Sequence, residues 1–245
     1  MIYFVSDVHL GLSGGDPAER EERFVRWLDS LAAEDTEALW LLGDIWDFWY
    51  EYRDVIPREG ARAVAAVVNL LKAGIPVYYV PGNHDIWMYS FWQGLGVKVM
   101  QQPQVAEMQG KRLLLGHGDA LGGGSRKYNF MLKVFHNRVC QKLFSTLHPW
   151  LAFRLGKNWS ESNYRRHSGY VFKGKDEPLY KFCREECTRL ADAGTPVDYC
   201  IFGHFHDSVD MTLGEGAAPR LVVLRDWIGG GVHYASLSGG ELTVK

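Results

Sequence analysis

The sequence predicts an α/β fold: a parallel sheet, then a second and more antiparallel one, with a helical insert between them. Three observations predict it. The first 80 residues alternate short apolar runs with segments of helical periodicity, the pattern of βαβ units. The last third is a series of short apolar runs split by Gly and Pro, which suits antiparallel strands. Between them, residues 122–175 lose the alternation and fill with helix formers and aromatics.

Residues 1–6 form an apolar run that stops at Asp7 and reads as a buried strand. No basic stretch precedes it, so this opening is not expected to be a secretory leader. Residues 19–33 place Phe24, Trp27, Leu28 and Leu31 on one helical face and charges on the other. Residues 38–42 form a second strand, stopped by Gly43. Residues 58–73 form a helix with Gly74 just past its end. Residues 76–80 form a third strand, stopped by Pro81 and Gly82. Short runs at 97–100 and 105–108 precede a strand at 112–115. Residues 177–193 read as a helix with Gly194 as its stop, and residues 197–202 as a strand ending at Gly203. Residues 208–213, 221–224, 232–237 and 242–244 are the short strands of the second sheet.

A length of 245 residues suits one domain with an insert at 122–175. With 47% hydrophobic and 23% charged residues the chain is an ordinary globular one, which excludes disordered and low-complexity classes. No apolar run approaches the ~18–20 residues that span a bilayer. The four cysteines lack CxxC spacing, which suits reduced thiols, and Cys183 and Cys187 are assigned a structural role. A net charge of −2 argues against a globally basic nucleic-acid binder. That total hides an asymmetry. The insert carries eleven basic residues against the single acid Glu161, while the rest of the chain has a net charge of −12. Because the insert is also aromatic, it reads as a lid that meets an anionic membrane surface or clamps a phosphorylated ligand.

Five motifs fall at strand ends: SDVHLG with Asp7 and His9, GDIWD with Asp44 and Asp47, GNHD with Asn83, His84 and Asp85, GHGD with His117 and Asp119, and GHFH with His204 and His206. Ligands of open α/β sheets bind outside the carboxyl ends of strands, so the five can converge. Asp, Asn and His donors without cysteine suit Mn²⁺, with Fe or Zn as alternatives. If one carboxylate bridges, seven residues hold two divalent ions: Asp7, His9, Asp44, Asn83, His117, His204 and His206. Two metals about 3.5–4 Å apart clamp an in-line phosphoryl displacement.

In this order the motifs resemble the calcineurin-like metallophosphoesterase superfamily, which implies a four-layer α/β/β/α sandwich. The resemblance assigns Asp7, His9, Asp44 and His206 to one metal, and Asp44, Asn83, His117 and His204 to the other. It makes His84 the histidine that meets the phosphoryl oxygens or leaving group. Asp85 is expected to orient His84, with Asp47 in a similar supporting role.

Within the superfamily, the aromatic loops after Asp44 and Asn83, the HGDALGGGSRKY stretch and KNWSESNYRR resemble bacterial UDP-2,3-diacylglucosamine hydrolases of lipid A synthesis. That resemblance implies attack of water at the α-phosphorus, giving UMP and 2,3-diacylglucosamine 1-phosphate. It implies a nucleotide-diphosphate lipid as substrate, with acyl chains in an aromatic chamber. Asn83, His84, Asp119, Tyr128, Asn158, Ser160, Asn163, Arg165 and Arg166 become the candidate substrate contacts. The expected setting is the cytoplasmic face of the inner membrane, bound peripherally, with no nucleic-acid or protein partner implied. One departure is His84, where that family carries Arg. Another is Gly124 and Ser125 in place of an acidic pair. Alternatives are a hydrolase of another nucleotide or lipid phosphoester, a nuclease, and a scaffold without activity.

Overall fold

The computed structural model describes residues 1–123, 126–167, 169–216 and 218–245, without the side chains of Arg166 and His167. Its first sheet is built from β1 (Ile2–Val5), β2 (Ala38–Leu41), β3 (Val77–Tyr79) and β4 (Lys98–Val99), all parallel. The second contains β5 (Gln104–Met108), β6 (Lys111–Leu115), β7 (Tyr199–Phe202), β8 (Val209–Thr212) and β9 (Arg220–Val223), in the order β5-β6-β7-β9-β8. Its three central strands are parallel and only its edges are antiparallel.

The last two strands depart from the sequence expectation. β10 (Ala235–Ser238) and β11 (Glu241–Val244) leave the second sheet and close the first, with β10 antiparallel to β1. The reason is burial. β1 is covered on both faces, and its free edge would otherwise expose unpaired backbone groups. Ala235 and Leu237 then face the space between the sheets together with Ile2 and Phe4.

Three apolar layers define the order of the sandwich. Tyr3, Val5 and Leu41 pack under α1 (Pro17–Ala33) and α2 (Ala61–Lys72) through Phe24, Leu28, Ala66 and Leu70. Phe4, Trp40, Leu115, Ile201 and Val222 fill the space between the sheets. Cys200, Leu221 and Val223 lie under α7 (Pro178–Asp192), against Leu179 and Cys183. The result is the α/β/β/α order. Cys183, Cys187 and Cys200 are buried free thiols in that last layer. The helices start where the chain supplies caps. Asp16 accepts from the N–H groups of Ala18 and Glu19 at 3.0 Å each, and Pro17 opens α1.

The insert folds as α4 (Arg126–His136), α5 (Arg138–Phe144) and α6 (Pro149–His167). Phe135, Phe144 and Phe153 anchor it on Phe48, Tyr50 and Trp87, the aromatic residues that follow β2 and β3. A short helix α3 (Phe91–Leu95) also follows β3, where the sequence reading had none. Among the described residues no helix is long and apolar enough to cross a membrane.

Candidate metal centre

All five motifs sit at the carboxyl ends of parallel strands, after β1, β2, β3, β6 and β7. Turning each carboxyl or imidazole inward needs an unusual backbone. Asp7, His9, Asp44, His204 and His206 all have left-handed φ, between 51° and 74°. Such a conformation costs of order 1–3 kcal/mol per non-glycine residue and persists where the surroundings enforce it. The motif glycines allow the loops to close on one another. A Cβ on Gly82 would lie 2.3 Å from Asp44 Oδ1, and one on Gly203 would lie 2.2 Å from Asp7 Oδ2.

The side chains share one design: the protein occupies one polar atom and turns another inward. Asp7 Oδ2 accepts from Ser6 Oγ at 2.6 Å and from the His204 N–H at 2.8 Å, leaving Oδ1. Asp44 Oδ1 accepts from the His84 N–H at 2.9 Å, leaving Oδ2. His117 Nδ1 lies 2.9 Å from the Leu42 carbonyl and His9 Nδ1 3.2 Å from Asp47 Oδ1, so in both rings Nε2 is the atom left over. Asp7 Oδ1, His9 Nε2, Asn83 Oδ1 and His117 Nε2 are buried with no hydrogen-bond partner. Orphaned acceptors of this kind are costly unless something else binds them. The inward atoms form two groups within 4.8 Å, Asp7–His9–His206 and Asp44–His117–His204. A third group, His9–Asp47–His84, adjoins them. The donor set therefore fits a pair of divalent cations.

The electrostatics agree. Burial opposes charge on Asp7, but His9, His117 and His206 outweigh it and pull its pKa to about 2. Asp44 is held well below the carboxylate range against the same burial, chiefly by His117 and His84. His9 is pushed up to about 10 despite burial, by Asp47 and Asp7. His204 goes the other way, to about 3, through burial and the neighbouring His117.

The structure corrects the role expected for Asp85. It is fully buried, and its carboxylate accepts from the Gly82 and Ile45 N–H groups at 2.7 and 2.9 Å and from Tyr79 Oη at 2.5 Å. It ties the loops after β2 and β3 together, and the His84 ring is oriented by Asp47. His84 Nδ1 donates to the Asp47 carbonyl at 2.8 Å.

The calcineurin-like phosphoesterase family model matches residues 1–208. The chain belongs to this family. A UDP-2,3-diacylglucosamine hydrolase of Porphyromonas gingivalis is 33% identical over 93% of this chain and 90% of its own. The Serratia proteamaculans protein of the same name is 30% identical over 91% of this chain and 90% of its own. A dimetal phosphatase structure from Danio rerio matches with a TM-score of 0.48 and 14% identity, covering 100% of this chain and 94% of that one.

On this phosphoesterase frame, α6 crosses beside the metal loops. It docks through Ala152, Gly156 and Ser160, small residues four apart that are all buried. Lys157 Nζ meets Glu59 Oε1 at 2.5 Å, and Ser13 Oγ donates to Glu161 Oε1 at 2.8 Å. The Trp159 ring lies 4.9 Å from the His84 ring. The same Trp159 lines an apolar cavity of about 280 Å³ with Phe48, Trp87, Phe135, Phe144 and Leu155.

Two candidate contacts lie on different faces of α6. Ser160 is buried and donates to Asp47 Oδ1 at 2.6 Å, so it serves the metal loops. Asn158 lies two residues from both Gly156 and Ser160, on the exposed opposite face of α6. Asp119 is buried beside His117 and accepts from the Gln102 amide. The Tyr128 ring is 6.4 Å from that of His204. Asn163 is half-buried, and Arg165 is exposed with its guanidinium 3.7 Å from Glu161. The Arg166 side chain, Gly124 and Ser125 lie outside the described residues.

The motif reading missed Arg20 and Asp226. Arg20 is a fully buried guanidinium whose Nη1 donates to the Gly14 carbonyl at 2.7 Å, which shapes the loop after His9. Asp226 faces His206. Neither belongs to a repeated spacing, and a buried arginine on an amphipathic helix reads as a surface residue.

Proposed function

We propose that this chain is a two-cation phosphohydrolase of UDP-2,3-diacylglucosamine, releasing UMP and 2,3-diacylglucosamine 1-phosphate. The observation that carries the reading is Trp159. One ring packs against His84 at the metal centre, 4.9 Å away and tilted by 37°, and also lines the apolar cavity, so the phosphate chemistry and an apolar space adjoin. The names of the full-length relatives point the same way.

In this reading Asp7, His9, Asp44 and His206 hold one cation, and Asp44, Asn83, His117 and His204 the other. Mn²⁺ suits the oxygen and nitrogen donors. Bound there, the cations supply charge neutralisation to the phosphoryl oxygens and acidify water for attack. Asp44 keeps its charge at neutral pH, and its Oδ2 lies 3.9 Å from His9 Nε2 and 3.2 Å from His117 Nε2, so it would be available to both donor groups. His84, fixed through Nδ1, presents Nε2 to the phosphoryl group or leaving group. This reading assigns Asn83, Asp119, Tyr128, Asn163 and Arg165 to the diphosphate and glucosamine, with Arg165 able to grip phosphate through two N–H groups. The cavity under α6 takes acyl chain.

The insert, 122–175 within a single domain, also exposes Phe130, Val139, Leu143, Trp150 and Leu155. Arg138, Lys142 and Arg154 stand among them. Apolar and basic groups together suit the anionic cytoplasmic face of the inner membrane, where such a lipid substrate resides. The test is incubation with Mn²⁺ and UDP-2,3-diacylglucosamine in heavy-oxygen water. The reading expects UMP that carries the label. No UMP release overturns the function, and label in the sugar phosphate overturns attack at the α-phosphorus.

A further inference from the structure

The stretch after β9, residues 224–228, matches no motif yet reaches the metal centre. The Trp227 N–H donates to the Asp7 carbonyl at 3.1 Å. Arg23 of α1 donates from Nη2 to the Trp227 carbonyl at 2.9 Å. The Trp227 indole is fully buried, 5.3 Å from the Phe24 ring and 5.6 Å from that of Trp27. The backbone here is thus clamped from both sides, independently of the neighbouring side chain. That side chain is Asp226. Its Oδ1 accepts from the Ile228 N–H at 2.7 Å, and its Oδ2 lies 3.5 Å from His206 Nδ1.

His206 needs such a partner. Its side chain is 33% exposed, whereas those of His9 and His117 are 3% and 0% exposed. Packing holds the buried rings. Hydrogen-bond acceptors also set their tautomers, Asp47 for His9 and the Leu42 carbonyl for His117. An exposed imidazole has neither constraint unless a third group supplies one. It can otherwise turn over or carry its proton on Nε2, the atom 3.6 Å from Asp7 Oδ1. A proton on that nitrogen removes the lone pair a cation would use.

We propose that Asp226 is the positioning residue of His206, holding the proton on Nδ1 and the Nε2 lone pair toward Asp7. It makes the most solvent-open imidazole of the Asp7–His9–His206 group competent for a cation, while the Asp44–His117–His204 group does not depend on it. The inference rests on the two-cation reading and deepens it.

The experiment is Mn²⁺ binding to the full chain, by competition with a chromogenic chelator, for wild type, Asp226→Asn and Asp226→Ala. Asn has a single acceptor oxygen, so with that oxygen on the Ile228 N–H its amide NH2 faces His206 Nδ1 and favours the opposite tautomer, with the proton on Nε2. The expected wild-type result is two bound ions. Asp226→Ala weakens one of them by roughly 10- to 100-fold, the usual scale for losing such a partner, and leaves the other unchanged. Asp226→Asn weakens the same ion at least as much, because its amide donor faces Nδ1. A second readout needs no metal: ring-nitrogen chemical shifts of His206, which report the Nδ1–H tautomer in wild type and a mixture in Asp226→Ala. Two ions bound with unchanged affinity in Asp226→Ala, or an unchanged tautomer, overturns the role of Asp226 alone. Wild-type protein that binds no Mn²⁺ overturns the two-cation reading and this inference with it. Circular dichroism of each variant separates these results from unfolding.

Discussion

Gly156→Ala isolates the contribution of α6 docking. A Cβ at this position would sit 2.4 Å from two carbons of the Phe48 ring and 2.5 Å from a third. Phe48 cannot retreat, because the rings of Trp87, Phe153 and Phe144 enclose it at 5.4, 5.9 and 6.4 Å. Overpacking of this kind costs about 1–3 kcal/mol. Alanine favours helix over glycine by about 1 kcal/mol, but that gain accrues to α6 docked or undocked and does not offset the clash. A net loss near 2 kcal/mol shifts the docking equilibrium roughly 30-fold. Hydrogen exchange at α6 amides should accelerate by that order. The kcat/KM for UDP-2,3-diacylglucosamine should fall with the fraction docked, by at most that factor, while hydrolysis of a small chromogenic phosphodiester changes much less. Equal losses on both substrates, or wild-type kinetics with unaltered exchange, would refute the argument that α6 forms the lipid-facing wall.

Other outcomes follow from the same geometry. Asp44→Ala should abolish turnover and reduce bound Mn²⁺ while leaving the circular dichroism spectrum intact; surviving activity contradicts a bridging carboxylate. Arg20→Ala strands the Leu12 and Gly14 carbonyls and should cost about 2–3 kcal/mol in urea unfolding, and an unchanged midpoint refutes it. Replacing Arg165 and Arg166 together should raise KM for the nucleotide lipid and spare the small diester, as steady-state kinetics would show. The Lys157–Glu59 contact carries a pH signature. Burial opposes the charge on Glu59, but Lys157 prevails and lowers its pKa. Its stabilisation is complete above the unfolded value near 4.3 and is lost as pH falls through the lower folded value. Both groups are about one-third exposed, so screening limits the contact to roughly 0–1 kcal/mol. Protection of α6 from exchange should decline only below that pH, and only with Glu59 present.

Much of the site was legible because metal donors cluster in short motifs at predictable strand ends. Asp7, His9 and His206 lie together, as do Asp44, His117 and His204, at the strand ends where the motifs fall. The left-handed φ of five of these loop residues was invisible, since aspartate and histidine carry no sign of it. Asp85 was misread for a related reason. Adjacency to His84 suggested that it orients that ring, whereas backbone N–H groups from two loops claim its oxygens. Helical periodicity also puts Asn158, two residues from the docked stripe, on the exposed face of α6. The crossing of β10 and β11 into the first sheet escaped detection because short alternating strands do not name their neighbour. Asp226 escaped because its partner is twenty residues away and the pairing exists only once β7 and β9 lie side by side.

The central claim is that the metal centre and the apolar cavity act on one molecule. Its most direct test compares UMP release from UDP-2,3-diacylglucosamine and UDP-N-acetylglucosamine, together with cleavage of a small phosphodiester, at equal Mn²⁺. The account predicts rapid release from the acylated compound and little from its short-chain analogue. Equal release from both would contradict it, leaving a phosphoesterase centre whose neighbouring cavity plays no part in choosing the substrate.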